Sequence, residues 1–306
     1  RSEGVAMKIL VTGAQGQLAR SLLAAAGAHC VVAIGRPDLD ITDIETVHRH
    51  IGAQTPDVVI NCAAYTAVDK AESDADAAHR VNVIGAANVA AGCAVAQIPL
   101  VHISTDYVFD GRKPAPYVET DLTGPMGVYG RTKLAGEDAV AAANPRHLIL
   151  RTAWVYSPYG HNFVRTMLRL AETRPELGVV DDQHGSPTYA PHLAEAILAI
   201  APQIADAPAA AAVWGIYNAA GAGETTWCGL ARDVFRRAAE AGAPVAKVNA
   251  ITTADYPTPA RRPANSRLDC SKLQATFGVT QPPWTSGVAA CAAALLTDKS
   301  IQLAQA

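Results

Sequence analysis

The sequence predicts an α/β protein whose core is a doubly wound parallel sheet. Short runs rich in leucine and β-branched residues alternate with helical patterns from residue 8 to about residue 150. This alternation is typical of parallel strands joined by right-handed helical crossovers. The 306 residues are 50% apolar and 17% charged, so the chain can bury a sizeable core.

The first strand and the turn after it predict a nucleotide site. The strand covers residues 8–11, and the turn has the pattern G-x-x-G-x-x-A, formed by Gly13, Gly16 and Ala19. Such glycines let the backbone approach a pyrophosphate, whose charge meets the N-terminus of the following helix. A tight turn without a ligand is the alternative. Its position directly after the first strand of an alternating chain favours the nucleotide.

The second predicted strand, residues 31–34, ends at Gly35 and Arg36. An acidic residue at this point of a dinucleotide fold binds the adenosine ribose, whereas an arginine suits a 2′-phosphate. Arg36 therefore favours NADPH over NADH. An ordinary surface arginine is the other interpretation.

Three further strands, at residues 57–61, 99–103 and 147–150, are predicted to bring polar and small side chains to the ligand-binding edge of the sheet. A helix capped by Thr42 or Asp43 precedes the first of them. The longer helix at about residues 77–89 carries Asn82 among apolar neighbours, either as an exposed side chain or as part of a buried polar relay. After these strands come Ala63, Ala64, Tyr65, Ser104, Thr105, Asp106 and Trp154.

A tyrosine and a lysine four residues apart, Tyr129 and Lys133, are predicted to lie on one face of a helix. A free tyrosine has a pKa near ~10, and an ammonium beside it lowers that pKa. The pair can then exchange a proton with a substrate oxygen. Alone, this spacing also occurs by chance in many helices.

Residues 7–151 are predicted to form a Rossmann-like dinucleotide-binding domain, and residues 152–306 mainly a smaller C-terminal substrate-binding lobe interleaved with the sheet. Strands near 177–180 and 215–218 are expected to join the sheet. Residues 1–6 lack the apolar core of a signal peptide and are expected to be a vector remnant. The lobe is expected to contain helices near 162–173, 192–201 and 226–241 and the proline-rich tract 257–263.

Composition argues against several classes of partner. The formal charge of -3 and pI near 6.3 give no electrostatic reason to expect nucleic acid. The sequence has no run of about 18 apolar residues, so no membrane-spanning helix is predicted. The six cysteines are scattered without metal-ligand spacing, so we expect no metal site and a reducing, cytoplasmic location.

Five motifs carry a family resemblance: residues 12–19 (TGAQGQLA), 61–72 (NCAAYTAVDKAE), 104–111 (STDYVFDG), 128–137 (VYGRTKLAGE) and 262–268 (RPANSRL). Together they resemble the extended short-chain dehydrogenase/reductase superfamily in its nucleotide-sugar branch. Within that branch they are most similar to the dTDP-4-dehydrorhamnose reductases. The similarity runs from Met7 to about residue 295.

The resemblance implies catalytic roles for three residues. Tyr129 would donate the proton, Lys133 would hold the nicotinamide ribose and lower the tyrosine pKa, and Thr105 would donate a hydrogen bond to the carbonyl oxygen. Asn82 would support the lysine through a water.

The resemblance and the patterns above also define a cofactor site and a substrate site. The substrate would contact Thr105, Asp106 and Trp154, with Arg262 and Asn265 meeting its diphosphate. The site for NADPH, or NADH, would comprise Gly13, Gly16, Gln17, Leu18, Arg36, Asp40, Ile41, Ala63, Ala64, Tyr65, Tyr129 and Lys133.

The implied reaction is reduction of the C4 ketone of dTDP-4-dehydro-L-rhamnose. Related dehydratases have an Asp-Glu pair after the active-site threonine, whereas Asp106 is followed here by Tyr107. Elimination therefore lacks a carboxylate. Two alternative functions remain open. One is reduction of another nucleotide 4-ketosugar, and the other is that of a non-catalytic NADP-binding subunit like the regulatory subunit of methionine adenosyltransferase.

One departure from the family bears on assembly. Some members form a magnesium-bridged dimer through glutamates after a Gly-[Ala/Ser]-Pro-Thr phrase. Here Gly185-Ser186-Pro187-Thr188 is followed by Tyr-Ala-Pro-His. We therefore expect a monomer or a metal-independent homodimer.

Overall fold

A computed structural model of the chain describes residues 6–297. The expected vector remnant lies outside the described residues except for Ala6. Within the described part the strands are β1 (Lys8–Thr12), β2 (Cys30–Ile34), β3 (Val58–Asn61), β4 (Leu100–Thr105), β5 (His147–Thr152), β6 (Val155–Tyr156), β7 (Glu176–Val180), β8 (His184–Gly185), β9 (Thr188–Tyr189), β10 (Gly215–Asn218), β11 (Thr225–Thr226) and β12 (Lys247–Ile251).

The helices in the same residues are α1 (Gln17–Ala24), α2 (Ile44–Gln54), α3 (Val68–Ala71), α4 (Ala75–His79), α5 (Ala86–Val95), α6 (Val128–Ala143), α7 (Phe163–Ala171), α8 (Ala190–Ala205), α9 (Trp227–Glu240), α10 (Ser271–Phe277) and α11 (Trp284–Thr297). A π-helix, Arg80–Gly85, joins α4 to α5. Short 3₁₀ turns cover Asp106–Val108 and Thr253–Asp255. In residues 6–297 no helix has both the length and the apolar character needed to cross a membrane.

The central sheet has six parallel strands in the order β10-β5-β4-β3-β1-β2, which confirms the predicted α/β fold class. The strand order reverses between β1 and β3, because β2 lies on one side of β1 and β3 lies on the other. Ligands bind at such a switch point in open α/β sheets. Alternate residues of each strand face opposite layers. Ile9 and Val11 pack with α1 and α8, whereas Leu10 packs with α2, α5 and α6.

The expectation that residues 177–180 join this sheet is wrong, whereas Gly215–Asn218 does join it. β10 occupies the edge beside β5, with Gly215 opposite Leu148. β7 instead pairs in parallel with β12, a strand that the sequence analysis missed. These two strands pack with α7, α9 and α11 around a second hydrophobic core that includes Val179, Val234 and Val288.

The predicted long helix after β3 is interrupted by the π-helix, and this wide turn buries Asn82. The Asn82 amide nitrogen donates to the Thr132 hydroxyl at 3.1 Å and to the Tyr65 carbonyl at 3.2 Å, while its oxygen accepts from the Tyr65 N–H at 2.8 Å. Asn82 thus belongs to a buried relay that joins the loop after β3 to α6.

Two glycines let α6 lie close to its neighbours. A Cβ at Gly130 would lie 2.2 Å from the Tyr107 carbonyl oxygen, and one at Gly136 would lie 2.1 Å from that of Asn82. Because glycine has no Cβ, α6 can pack directly on the turn after β4 and on the π-helix. This packing brings Tyr129 to the carboxyl edge of the sheet.

Candidate active site

A cavity of about 1180 Å³ opens along the carboxyl edge of the sheet. Its volume exceeds the usual range for a site that holds one small ligand. The predicted site residues that line it are Gly13, Gly16, Gln17, Leu18, Arg36, Asp40, Ile41, Ala63, Ala64, Tyr65, Thr105, Asp106, Tyr129, Lys133 and Trp154.

The glycine turn has the geometry that a pyrophosphate requires. Gly13 has φ +74°, and a Cβ there would lie 2.9 Å from the Ala63 Cα, so only glycine fits. The N-cap of α1, Gly16, makes no side-chain hydrogen bond to the first turn. The N–H groups of that turn are therefore available to an anion, which fits a dinucleotide cofactor.

The side chain of Gln17 lines the cavity and also makes hydrogen bonds to another segment of the protein. Its carbonyl oxygen accepts from the Ser157 hydroxyl at 2.8 Å and from the Asn162 amide at 3.1 Å. Gln17 thereby ties the glycine turn to the segment that leads from β6 into α7. Gly160 and His161 of that segment line the cavity.

The second strand ends at a polar corner of the cavity. Asp40 accepts hydrogen bonds from the backbone N–H and the hydroxyl of Thr42, and Ile41 is anchored by the Asn88 amide, which donates to its carbonyl at 3.0 Å. Arg36 and Arg80 both line the cavity, so two cations are available to a phosphate group.

Lys133 is 2% exposed, and its ammonium donates to the Ile103 carbonyl at 2.7 Å and lies 3.5 Å from His102 Nε2. Burial lowers the pKa of Lys133 to about 8, and the nearby Glu137 carboxylate opposes that shift. Burial and the Lys133 charge hold the pKa of His102 well below its usual value. The imidazole is therefore neutral beside the lysine.

Tyr129 keeps its proton at neutral pH. Burial raises its pKa to about 12, and a hydrogen bond with Thr105 opposes the shift. The expected lowering of this pKa by Lys133 is not found, because desolvation dominates and the ammonium is directed at the Ile103 carbonyl. A protonated phenol is the state that a proton donor needs.

Asp106 is a buried carboxyl group with one free oxygen. Thr105 donates to its Oδ1 at 2.9 Å, and in the described part of the chain its Oδ2 has no hydrogen-bond partner. Burial raises the Asp106 pKa to about 7, against hydrogen bonding with Thr105 and Ser266. The hydroxyl of Thr152, another cavity residue, likewise lacks a partner there. Both atoms fit a hydroxylated ligand, because buried polar groups are normally hydrogen-bonded.

Trp154 forms an aromatic wall of the cavity. Its ring stacks on Trp227 with the centroids 3.6 Å apart and the planes at 9°. Its backbone has φ +48°, an uncommon conformation for a bulky residue. Gly185 leaves room for the ring, because a Cβ there would lie 2.3 Å from it.

The structure does not bring Arg262 or Asn265 to this cavity. The Asn265 amide donates to the carbonyls of Lys113 and Ala115, and its oxygen accepts from the Arg267 backbone, so its polar groups are occupied. Arg262 forms a bidentate ion pair with Asp69. Both side chains make contacts within the protein, and their expected contact with a diphosphate stays a prediction.

Several lining residues were missed by the sequence analysis. Trp227, Arg80 and His161 lie in segments without a recognised motif, and no local pattern would have identified them. Tyr107 lay inside a motif, and its ring meets Tyr129 edge to face at 5.7 Å. In residues 6–297 no group of three or more His, Cys, Asp or Glu side chains is placed to hold a metal ion.

A glycine turn on the first strand of a doubly wound sheet, combined with Thr105, Tyr129 and Lys133 in one cavity, defines an oxidoreductase of the extended short-chain dehydrogenase/reductase type. Residues 7–297 match the family described as RmlD substrate binding domain, and the chain belongs to that family.

Named relatives agree with this assignment. The chain is 48% identical to a dTDP-4-dehydrorhamnose reductase of Sinorhizobium fredii, covering 95% of this chain and 99% of that protein. It is 41% identical to the Escherichia coli protein of the same name, covering 96% and 100%.

A solved dTDP-4-dehydrorhamnose reductase from Bacillus anthracis, in complex with NADP, superposes with a TM-score of 0.86 at 34% identity, covering 94% of this chain and 99% of that one. One from Clostridium acetobutylicum has the same TM-score at 39% identity, covering 98% and 100%.

Proposed function

We propose that this protein uses NADPH to reduce the C4 ketone of dTDP-4-dehydro-L-rhamnose to dTDP-L-rhamnose. The observation that carries the proposal is the convergence of Thr105, Tyr129 and Lys133 in the cavity that the glycine turn also lines. Relatives named for this reaction, one of them solved with NADP, support the choice of substrate and cofactor.

The residues divide the work of the reaction. The nicotinamide of NADPH, when bound, would supply a hydride to C4, which would place negative charge on the ketone oxygen. The Tyr129 hydroxyl gives that oxygen a proton, which completes the alcohol. The Thr105 hydroxyl turns from Asp106 Oδ1 to donate a hydrogen bond to the same oxygen. Lys133, which lines the same cavity, would hold the nicotinamide ribose.

Binding roles follow from the walls of the cavity. We propose that the first turn of α1 holds the pyrophosphate of the cofactor and that Arg36 meets its 2′-phosphate. Asp106 and Trp154 contact the sugar, the first through its free oxygen and the second through its ring face. The segments around the second hydrophobic core, β7, β12, α7, α9 and α11, supply the substrate side.

Reduction suits the site better than elimination does. A dehydratase needs a second carboxylate after Asp106, and this position holds Tyr107, whose ring packs against Tyr129. With an aromatic ring in that place, the site retains a proton donor but lacks the acid and base pair that removal of water requires.

The six cysteines are free in the structure, which supports a reducing cytoplasm. We propose that the protein works there as a monomer or as a homodimer without a bridging metal.

The test is product analysis after incubation with dTDP-4-dehydro-L-rhamnose and either NADPH or NADH. We expect dTDP-L-rhamnose and faster turnover with NADPH. Faster reduction of a different nucleotide 4-ketosugar would reassign the substrate. Tight NADP binding without oxidation of NADPH on any ketosugar would indicate a regulatory subunit instead.

A further inference from the structure

The helix that carries Tyr129 begins without an N-cap side chain of its own. Its N-cap is Gly127, so the N–H groups of the first turn have no side-chain acceptor at that position. Tyr129 is the second residue of this helix, and its position depends on the order of the first turn.

A residue distant in sequence supplies the missing acceptor. Glu72 Oε1 accepts a hydrogen bond from the Val128 N–H at 2.7 Å, across 56 residues. A carboxylate at this end of a helix also opposes the positive end of the helix dipole. Glu72 directly follows α3 and belongs to one of the five motifs, yet it does not line the cavity.

The same short segment is anchored at its other end. Asp69 of α3 accepts from Arg262 through both oxygens, at 3.0 Å and 2.7 Å, and from the Ala260 N–H at 3.1 Å. Val68 and Lys70, its neighbours in α3, line the cavity. One segment therefore contacts the cavity, the C-terminal tract and the start of α6.

We propose that Glu72 is a positioning residue for Tyr129, which it holds in place by capping α6 from outside, with the Asp69–Arg262 pair fixing the segment that carries it. The inference rests on the proposed function, because it concerns the residue assigned as proton donor. Small displacements of such a group reduce turnover strongly, since about 1 Å of misplacement can cost about 10²-fold.

Gly127 permits a rescue experiment. Its backbone, with φ −120° and ψ 171°, already has the extended conformation of an N-cap residue. In the native protein a Cβ there would lie 2.7 Å from Glu72 Oε1. The variant Glu72→Ala removes that obstacle, so Gly127→Asp in the same chain can cap α6 locally.

We expect Glu72→Ala to lower kcat about tenfold while the KM for NADPH changes less than about twofold. The double variant Glu72→Ala/Gly127→Asp should recover kcat to within about threefold of the native value. Glu72→Gln, which keeps an acceptor oxygen, should stay within about twofold. A merely stabilising role predicts instead that Glu72→Ala lowers the free energy of unfolding while kcat per folded molecule stays native.

Hydrogen exchange of the amides of residues 128–131 measures the cap without any substrate. We expect faster exchange in Glu72→Ala and native exchange in the double variant. Unchanged exchange in Glu72→Ala, or a kcat that the double variant does not recover, would overturn the proposal. If the exchange changes as expected but no ketosugar is reduced by the native protein, the proposed function fails and the cap stands.

Discussion

The buried ion pair behind the active site gives a quantitative prediction for Glu137→Gln. Glu137 is 1% exposed at its side chain and Arg151 is 3% exposed. Its Oε2 accepts from Arg151 Nη2 at 2.6 Å, and its Oε1 accepts from Arg151 Nε at 3.0 Å and from the Ser104 hydroxyl at 2.5 Å. Glutamine keeps the volume but removes the charge.

The expected loss in the free energy of unfolding is about 3 kcal/mol. Breaking a buried pair by removing one partner typically costs about 3–5 kcal/mol, because the other charge stays buried and uncompensated. The remaining amide oxygen can still accept one bond from Arg151, which places the value at the lower end.

Urea denaturation measures this loss, provided that the slope of the transition is unchanged. The matched control is Asp138→Asn on the same helix, where the side chain is exposed and the expected change is below about 0.5 kcal/mol. A loss of less than about 1 kcal/mol in Glu137→Gln would refute the reasoning.

The same variant tests the electrostatics of Lys133. The Glu137 charge raises the Lys133 pKa, against the burial that lowers it to about 8. Removing the charge therefore lowers this pKa further, and the ammonium is lost at a lower pH. We expect the alkaline limb of the kcat profile to move to lower pH, and a shift to higher pH would contradict the assignment.

Three further predictions address the donor, the cofactor and the assembly. Tyr129→Phe should keep NADPH binding and lose about 10²-fold or more in turnover, since it removes the general acid; near-normal kcat would exclude the assigned role. Arg36→Ala should raise the Kd of NADPH more than that of NADH, because only NADPH carries the 2′-phosphate, and an equal effect on both would remove Arg36 from that site. EDTA should leave the elution volume in size-exclusion chromatography unchanged, whereas dissociation of a dimer would show a bridging metal.

The parallel core could be predicted because each strand up to residue 152 is a local apolar run followed by a recognisable turn. The cavity residues of β1, β3 and β4 followed, since the carboxyl ends of parallel strands share one edge. Val179 and its strand could not be placed, because β7 pairs with β12 in a separate two-stranded sheet and that partner lies 71 residues away in the sequence.

The remaining differences concern side chains whose partners are far away in sequence. Gln17 bonds Ser157, and Asn265 bonds the carbonyl of Lys113, across 140 and 152 residues. Trp227 reaches the cavity through the packing of α9. No local sequence pattern predicts these contacts. The Tyr129 pKa could not be predicted either, because it depends on desolvation in the folded chain.

The π-helix fixes the number of residues in the segment between α4 and α5. Each residue of a regular helix turns the side-chain direction by about 100°, so the wide turn at Arg80–Gly85 holds α4 and α5 one residue out of phase. Loss of a single residue there would rotate the buried face of α5 away from the sheet or turn Asn82 away from Thr132. The packing on both sides of this turn therefore fixes its number of residues.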